Sequence, residues 1–498
     1  MKFRSSGQAI LAVAVLTGLA SLLTSCGGGH TIGYTYVLSS PAGSNSTIYA
    51  YDVRSDNGAI SPAATPSYSA TLGGAVFSIA SPDHANLYVL FGSPTDPSTG
   101  LPTDPTVGGT IIHYSISTAD GTLKQLDTVT TAGTAPVALG IDPSGLYLYA
   151  VDTYAPGSGT NGPGDVTVFA IQGDLQASSS TPSGTLLAPV CAAPGTPTNS
   201  GTAPGTAGSG CYYPVGYGPR GVTQTSTEVN GTGYVYVTNS GINVPVSNTT
   251  CYSTVSGFSL NYGNPNPGSG TSPTYGGQMG MVDFGKPPAG SCTGNPYPGP
   301  ITSGNTTTYP SLPVGVNAWA ITNVVTGAAP ALPFVYITDR AQNQVYAFAS
   351  LSNGSFSSSG LGGVSGQSAY PTGNQPQSIL VDPRSKFLYI TNFRDGNISA
   401  LNINSSTGAL TSINGSPYGA GTGPLCLGID PSEGKYLYTV NNLSGSVSGY
   451  TLNGSTGQLT GLPNAPFYLG ESSGGVNTSL PTCLSVAANG STPVTGTP

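Results

Sequence analysis

Residues 376–462 contain one pattern written twice, and a chain that repeats itself at this spacing has few folds open to it. The first copy runs Pro376-Gln-Ser-Ile-Leu-Val-Asp382-Pro383, Phe387-Leu-Tyr389-Ile-Thr-Asn392, Ile398-Ser-Ala-Leu401 and Gly408-Ala-Leu410. The second runs Pro424-Leu-Cys-Leu-Gly-Ile-Asp430-Pro431, Tyr436-Leu-Tyr438-Thr-Val-Asn441, Val447-Ser-Gly-Tyr450 and Gly457-Gln-Leu459. Four short runs of β-branched and aromatic residues are separated by Asp-Pro, Asn and Ser/Thr-Gly signals that suit turns. Each copy reads as a four-stranded antiparallel unit with two faces to bury. Recurrence at roughly 40 to 50 residues therefore argues for several units packed side by side, as the blades of a propeller.

The second run carries a register mark, a Tyr among apolar residues, at Tyr36, Tyr88, Tyr149, Tyr236, Tyr336, Tyr389 and Tyr438. The third run pairs Ile or Val with an aromatic or Leu three positions on, from Ile48/Tyr51 to Val447/Tyr450, and gives the same count. The fourth begins Gly-x-apolar, as at Gly58/Ile60, Gly121/Leu123 and Gly173/Leu175; the fourth blade offers only Gly277-Gln-Met279. Seven blades are expected. The first lacks an opening run, and Pro481-Thr-Cys-Leu-Ser-Val-Ala-Ala488 copies one and then stops. The expected fold is all-β, a seven-bladed β-propeller whose C-terminal strand joins the N-terminal blade, with Leu484 to Ala487 beside Tyr34 to Leu38.

Only 6% of the 498 residues are charged, with 73 Gly and 43 Pro, but 37% hydrophobic content and 29 Tyr favour a loop-rich β fold over disorder. A net charge of -8 argues against a nucleic-acid partner. Lys2, Arg4 and the apolar run Ala9 to Leu23 read as an export signal. Leu23-Thr-Ser-Cys26 resembles the lipobox of bacterial lipoproteins, in which the Cys is lipidated; an ordinary cleaved signal or a short anchor helix is the alternative. The expected layout is a signal at 1–25, a tether at 26–33, the propeller at 34–488 with insertions at about 177–218 and 262–313, and a disordered tail at 489–498. The mature protein would be an extracytoplasmic monomer held to a bacterial membrane by lipid on Cys26.

The remaining cysteines are Cys191, Cys211, Cys251, Cys292, Cys426 and Cys483, an even number that fits disulfides in an exported chain. Pairing of Cys191 with Cys211 and Cys251 with Cys292 would close loops within the insertions. Cys426 and Cys483 occupy equivalent inner-strand positions of neighbouring blades, and a bond there would lock the ring if their Cα atoms lie within about 7 Å.

The phrases ending at Asn392 and Asn239, Val-Asp-Pro383 and Ser-Thr-Gly-Ala-Leu410 resemble the seven-bladed propeller family that includes 6-phosphogluconolactonase, and the related Tyr-Val-Thr-Asn surface repeats. The resemblance implies the propeller and, in members regarded as lactonases, His and Glu together with Arg near the channel mouth. Here Gly218-Pro219-Arg220-Gly221 keeps the Arg without the His, Gly133-Thr-Ala-Pro136-Val137 has no His, and Ser240 stands where the family often has Glu. Arg220 is the one position carried over as a catalytic candidate.

Lactone opening needs an activated water and a cation or donors for the oxyanion. His30, His84 and His113 read as structural, and no phosphate loop, nucleophile elbow or zinc spacing occurs. Asp96 and Asp104, in a Pro-rich insertion, read as solvated carboxylates and not as a calcium pair. Loops around the channel mouth present Asp152, Arg220, Trp319, Arg340, Gln377, Arg394 and Asn441, a polar set with one stacking face suited to a sugar, carboxylate or peptide. Trp319 packed between blades is the structural alternative. The expected role is recognition of an envelope protein or glycan, without cofactor or metal; the rival is a lactonase, whose metal-dependent form would call on Asp152 and Asp339.

Overall fold

The structure is a computed structural model and describes residues 29–41, 44–93, 96, 102–173, 182–189, 211–225, 233–241, 253–260, 263–264, 274–275, 279–284, 301–303, 306–308, 311–326, 333–357, 368–469 and 480–490. Blade one orders its strands as Ile60–Ser69, Thr47–Arg54, Thr31–Ser39 and Pro481–Ala488, all antiparallel. Tyr34 lies opposite Ala487 and Val37 opposite Leu484, so the tail completes the sheet that the head began. Blades two and three share the long strand Leu123–Ile141, whose start is outermost in blade two and whose end is innermost in blade three. The other blades open with Pro219–Gln224, Ala318–Val324, Pro376–Val381 and Pro424–Ile429. Each inner strand lies against the next in cyclic order, and that of blade seven against that of blade one, which makes a ring of seven.

The core lies between blades. Phe387 and Tyr389 of blade six, for example, pack with Leu427, Leu437 and Tyr450 of blade seven. Burial on both faces explains why second strands read as near-continuous apolar runs: every residue of Asn86–Phe91, Phe387–Asn392 and Tyr436–Asn441 is buried. The Asp of each Asp-Pro signal closes its own hairpin. Asp382 Oδ1 accepts from the N–H of Phe387 at 2.8 Å, Asp430 Oδ2 from that of Tyr436 at 2.8 Å, and Asp142 Oδ1 from that of Tyr147 at 2.6 Å.

All seven marker tyrosines are fully buried, and six reach into the next blade. Tyr36 donates to the carbonyl of Gly121 at 2.8 Å, Tyr236 to Gly354 at 2.7 Å, Tyr336 to Gly408 at 2.8 Å and Tyr389 to Gly457 at 2.8 Å. These glycines open the fourth strands at positive φ, which a side chain would resist. Tyr88 uses Gly184, at 2.7 Å, which corrects the expectation for blade three. The described fourth strand is Leu186–Pro189, preceded by a bond from the N–H of Gln172 to the carbonyl of Thr185; residues 174–181 after Gly173 lie outside the described residues.

Three other boundaries move. Thr31–Ser39 begins inside the expected tether, held by pairing of Thr31 with Arg54. Asn489, assigned to the tail, donates its N–H to the carbonyl of Ile32 at 3.3 Å. The insertions are partly built into the blades: Tyr213–Pro214 and Ser311–Pro313 each pair with the third strand of their blade. Residues 1–28 lie outside the described set, and the export signal and Cys26 with them. Cys426 and Cys483 form a disulfide with Cα atoms 5.1 Å apart. Cys211 is also disulfide-bonded; Cys191, Cys251 and Cys292 lie outside the described residues.

Candidate functional site

At the mouth end of each inner strand, pairing with the second strand skips a step. The shift falls between Ala75 and Phe77, Pro136 and Ala138, Pro219 and Gly221, Ala318 and Ile321, Pro376 and Ser378, and Pro424 and Cys426. In blade one, Ser39 pairs with Pro481 and Val37 with Leu484. A bulge frees its extra residue from the ladder and re-aims the side chain. The residues so placed, Val76, Val137, Arg220, Trp319, Gln377, Leu425 and Thr482, all line one central cavity of about 950 Å³. Ser40, Asn45, Asp96, Asp104 and Asn442 belong to its outer wall.

Within this ring two cations share one indole. The Arg220 guanidinium carbon lies 4.7 Å from the Trp319 ring centroid and that of Arg340 lies 4.5 Å from it. All three residues are buried, with exposures of 8%, 9% and 4% in the order Arg220, Trp319, Arg340. Arg340 follows the strand Phe334–Asp339, bonds its N–H to Asn317 and directs Nη2 to Gln375 Oε1 at 3.3 Å. Arg220 Nε and Nη1 are buried and have no hydrogen-bond partner among the described residues.

Burial, and then the like charge of Arg340, push Arg220 below the usual arginine range. Burial, and then Arg394, do the same to Arg340, opposed by Asp96. Stacking on Trp319 returns part of the lost hydration, about 0.5–2 kcal/mol per cation. An anion against Arg220 would supply what the ring cannot: bidentate acceptors and an opposite charge.

Of the expected rim set, Arg220, Trp319 and Gln377 line the cavity, and Arg340 joins them through the indole. Arg394 is exposed and outside the lining, and its charge adds to burial in holding Arg340 below the usual arginine range. Asp152 and Asn441 are corrections. Both are buried parts of the scaffold: Asp152 accepts from Thr131 Oγ1 at 2.9 Å and Gly133 N–H at 3.1 Å, and Asn441 from Gly421 N–H at 3.2 Å. Asp339, whose carboxylate accepts from the N–H of Val316 at 2.7 Å, of Ala341 at 2.9 Å and of Gln342 at 2.9 Å, is likewise a loop staple. In these three blades the polar residue ending the second strand holds the loop that leads into the inner strand.

Asp96 and Asp104 line the cavity, and Asp104 is exposed there, as the reading of a solvated loop carboxylate has it. Among the described lining residues they are the only carboxylates, while His113 is packed far into blade two, with Nδ1 2.7 Å from Asp127 Oδ1 and Nε2 2.8 Å from Asn86 Oδ1. Among the described residues no group of three or more His, Cys, Asp or Glu side chains is placed to hold a metal ion. The bulge ring was the missed feature. Its signal was present in the aligned repeats, as the residue following Pro219, Pro376, Pro424 and Pro481.

Several solved structures share this fold at low sequence identity. A candidate 6-phosphogluconolactonase of Bacteroides fragilis aligns with a TM-score of 0.55 at 15% identity, over 92% of this chain and 98% of its own. One from Bacteroides uniformis gives 0.53 at 16%, over 92% and 100%. The periplasmic gluconolactonase of Pseudomonas aeruginosa gives 0.56 at 15%, over 92% and 99%. At such identity the likeness concerns the fold alone. No curated protein sequence matches the chain. The family model described as lactonase, seven-bladed β-propeller, matches residues 34–186 and 328–426, which together make up half of the chain. With blade count, ring closure and sequence match in agreement, the chain belongs to the seven-bladed β-propeller lactonase family.

Proposed function

We propose that the protein is an exported, lipid-anchored recognition module whose central cavity holds the anionic group of a ligand, free or borne by an envelope glycan or protein. The observation that carries this is Arg220, a buried guanidinium whose Nε and Nη1 have no partner among the described residues, stacked on Trp319 together with Arg340 at the wall of a cavity. A buried charge left uncompensated costs several kcal/mol, on the order of 3–5, and an anion removes that cost on binding. A cavity of about 950 Å³ is of ligand-holding size. Lys2, Arg4, the apolar run to Leu23 and Cys26 support export and lipid anchoring, and the Cys426–Cys483 disulfide suits an oxidising compartment.

Trp319 is the only tryptophan, so its emission reports on the site. Carboxylates ranging from acetate and octanoate to gluconate, titrated into a soluble form lacking Cys26, are expected to include some that shift the emission. Arg220→Ala is expected to abolish the shift. An emission that no carboxylate moves would end this reading.

Family membership favours a second reading, a lactone hydrolase in which Arg220 stabilises the oxyanion and Asp96, on the cavity wall, activates water. Turnover of gluconolactone that Asp96→Asn and Arg220→Ala each reduce about 100-fold would establish it. Turnover indifferent to both would exclude these roles.

A further inference from the structure

The cavity wall is divided. At the level of the bulges, Arg220, Trp319, Gln377 and Thr482 are polar or cationic, whereas Val76, Val137 and Leu425 are apolar. One step further along the inner strands, small residues such as Gly221, Ala320 and Ser378 line the wall; beyond them come Leu139, Val222, Ile321 and Ile379. Arg220 is the one cation among the described lining residues. Arg340 stacks on the same indole but is outside the lining, with Nη2 already turned to Gln375.

We infer that the ligand is a small amphipathic monoanion: a single carboxylate on an aliphatic or aromatic body, in preference to a phosphorylated or fully hydroxylated sugar acid. This rests on the anion-binding reading of the same cavity and names its ligand class. A carboxylate on Arg220 leaves the rest of such a molecule facing Leu139, Val222, Ile321 and Ile379. Those side chains offer no donor or acceptor, so each sugar hydroxyl buried among them goes unmet and lowers affinity by about tenfold. A methylene in the same place raises affinity by about fourfold. A second negative charge, as on a phosphosugar, finds no second lining cation, and Asp96 and Asp104 at the outer wall oppose it.

The test is isothermal titration of the soluble protein with hexanoate, octanoate and 6-phosphogluconate. Octanoate is expected to bind at least about tenfold more tightly than 6-phosphogluconate and, with two more methylenes, about fifteenfold more tightly than hexanoate. Arg220→Ala should lose the binding while its melting transition shows it folded. If 6-phosphogluconate binds as tightly as octanoate and Arg220→Ala abolishes both, the amphipathic class is wrong and the anion site stands. Octanoate binding that ignores chain length, or that survives Arg220→Ala, also overturns the inference. If none of the three binds at millimolar concentration, the inference and the anion reading fall together.

Discussion

The hydroxyl of Tyr438 donates to the carbonyl of Gly58 at 2.6 Å, joining the last complete blade to the first across the seam where the chain's two ends meet. It is the same bond that Tyr36, Tyr236, Tyr336 and Tyr389 make to the blades that follow them. The seam is thus held by the same bond as five other blade boundaries. Tyr438→Phe is expected to cost about 1–3 kcal/mol, the penalty for a buried carbonyl left without its donor, and Tyr389→Phe the same. Gly58→Ala should cost at least as much, because φ is 67° and an added Cβ would lie 2.2 Å from Tyr436 Cδ1. Urea unfolding of the three variants checks this. A seam variant far milder than its interior counterpart would mean that the ring closes by other means.

The Cys426–Cys483 bond spans the same seam at the level of the cavity wall and closes a loop of 57 residues. Loop-closure entropy puts its contribution at about 4 kcal/mol. Cys426→Ala/Cys483→Ala should have a lower urea midpoint than the unreduced wild type, and dithiothreitol should lower the wild type by more than it lowers this variant, which keeps the bond at Cys211. Equal midpoints for wild type with and without reductant would show that the bond adds nothing to the ring.

Asp152 and Asp165 face each other across neighbouring strands of blade three, both fully buried. Burial pushes Asp152 up to about 7 despite the bonds from Thr131 and Gly133. Burial, and then the charge of Asp152, hold Asp165 well above the usual carboxylate range. Unfolded, both return to about 4, so between about pH 4 and 7 the folded state binds more protons. Stability therefore falls as pH rises through that window. Asp165→Asn should flatten the dependence, read as a smaller drop in urea midpoint from about pH 5 to about pH 8. A wild-type midpoint that climbs over this interval contradicts the assignment.

Arg220→Met keeps the length of the side chain and removes a buried charge that lies near another. It is expected to stabilise the fold by about 1–2 kcal/mol while abolishing the carboxylate-induced change in Trp319 emission. A variant that loses stability would place Arg220 in the scaffold instead of the site.

Asn441→Ala is expected to do the reverse. It strips a partner from Gly421 N–H and from the hydroxyls of Ser446 and Ser448, at a cost of about 1–3 kcal/mol, and leaves carboxylate affinity unchanged. Parallel melting and titration distinguish the two behaviours.

The number of blades and the closing of the ring could be read from the chain because they rest on local periodicity. A Tyr in each second run and a Gly-x-apolar start in most fourth runs mark the blades, and Pro481–Ala488 supplies the one missing opening strand. Blade three was misread at Gly173 because the glycine that matters is defined by its contact with Tyr88, and a contact has no fixed spacing in sequence. The polar residues ending second strands were mistaken for site residues for a related reason. Asp152 and Asn441 look available as letters, and only the folded loops show their oxygens already accepting backbone N–H groups.

Sequence by itself determined the strands, their order and the meeting of head and tail, since alternation, turn residues and repetition are properties of neighbouring residues along one chain. Tertiary structure alone decided which side chains face the axis. That depends on a one-residue slip between inner and second strands, and on the curvature that brings Arg220, Trp319 and Arg340 from separate strands onto one indole. Charge, burial and stacking then act together on groups that no local pattern connects.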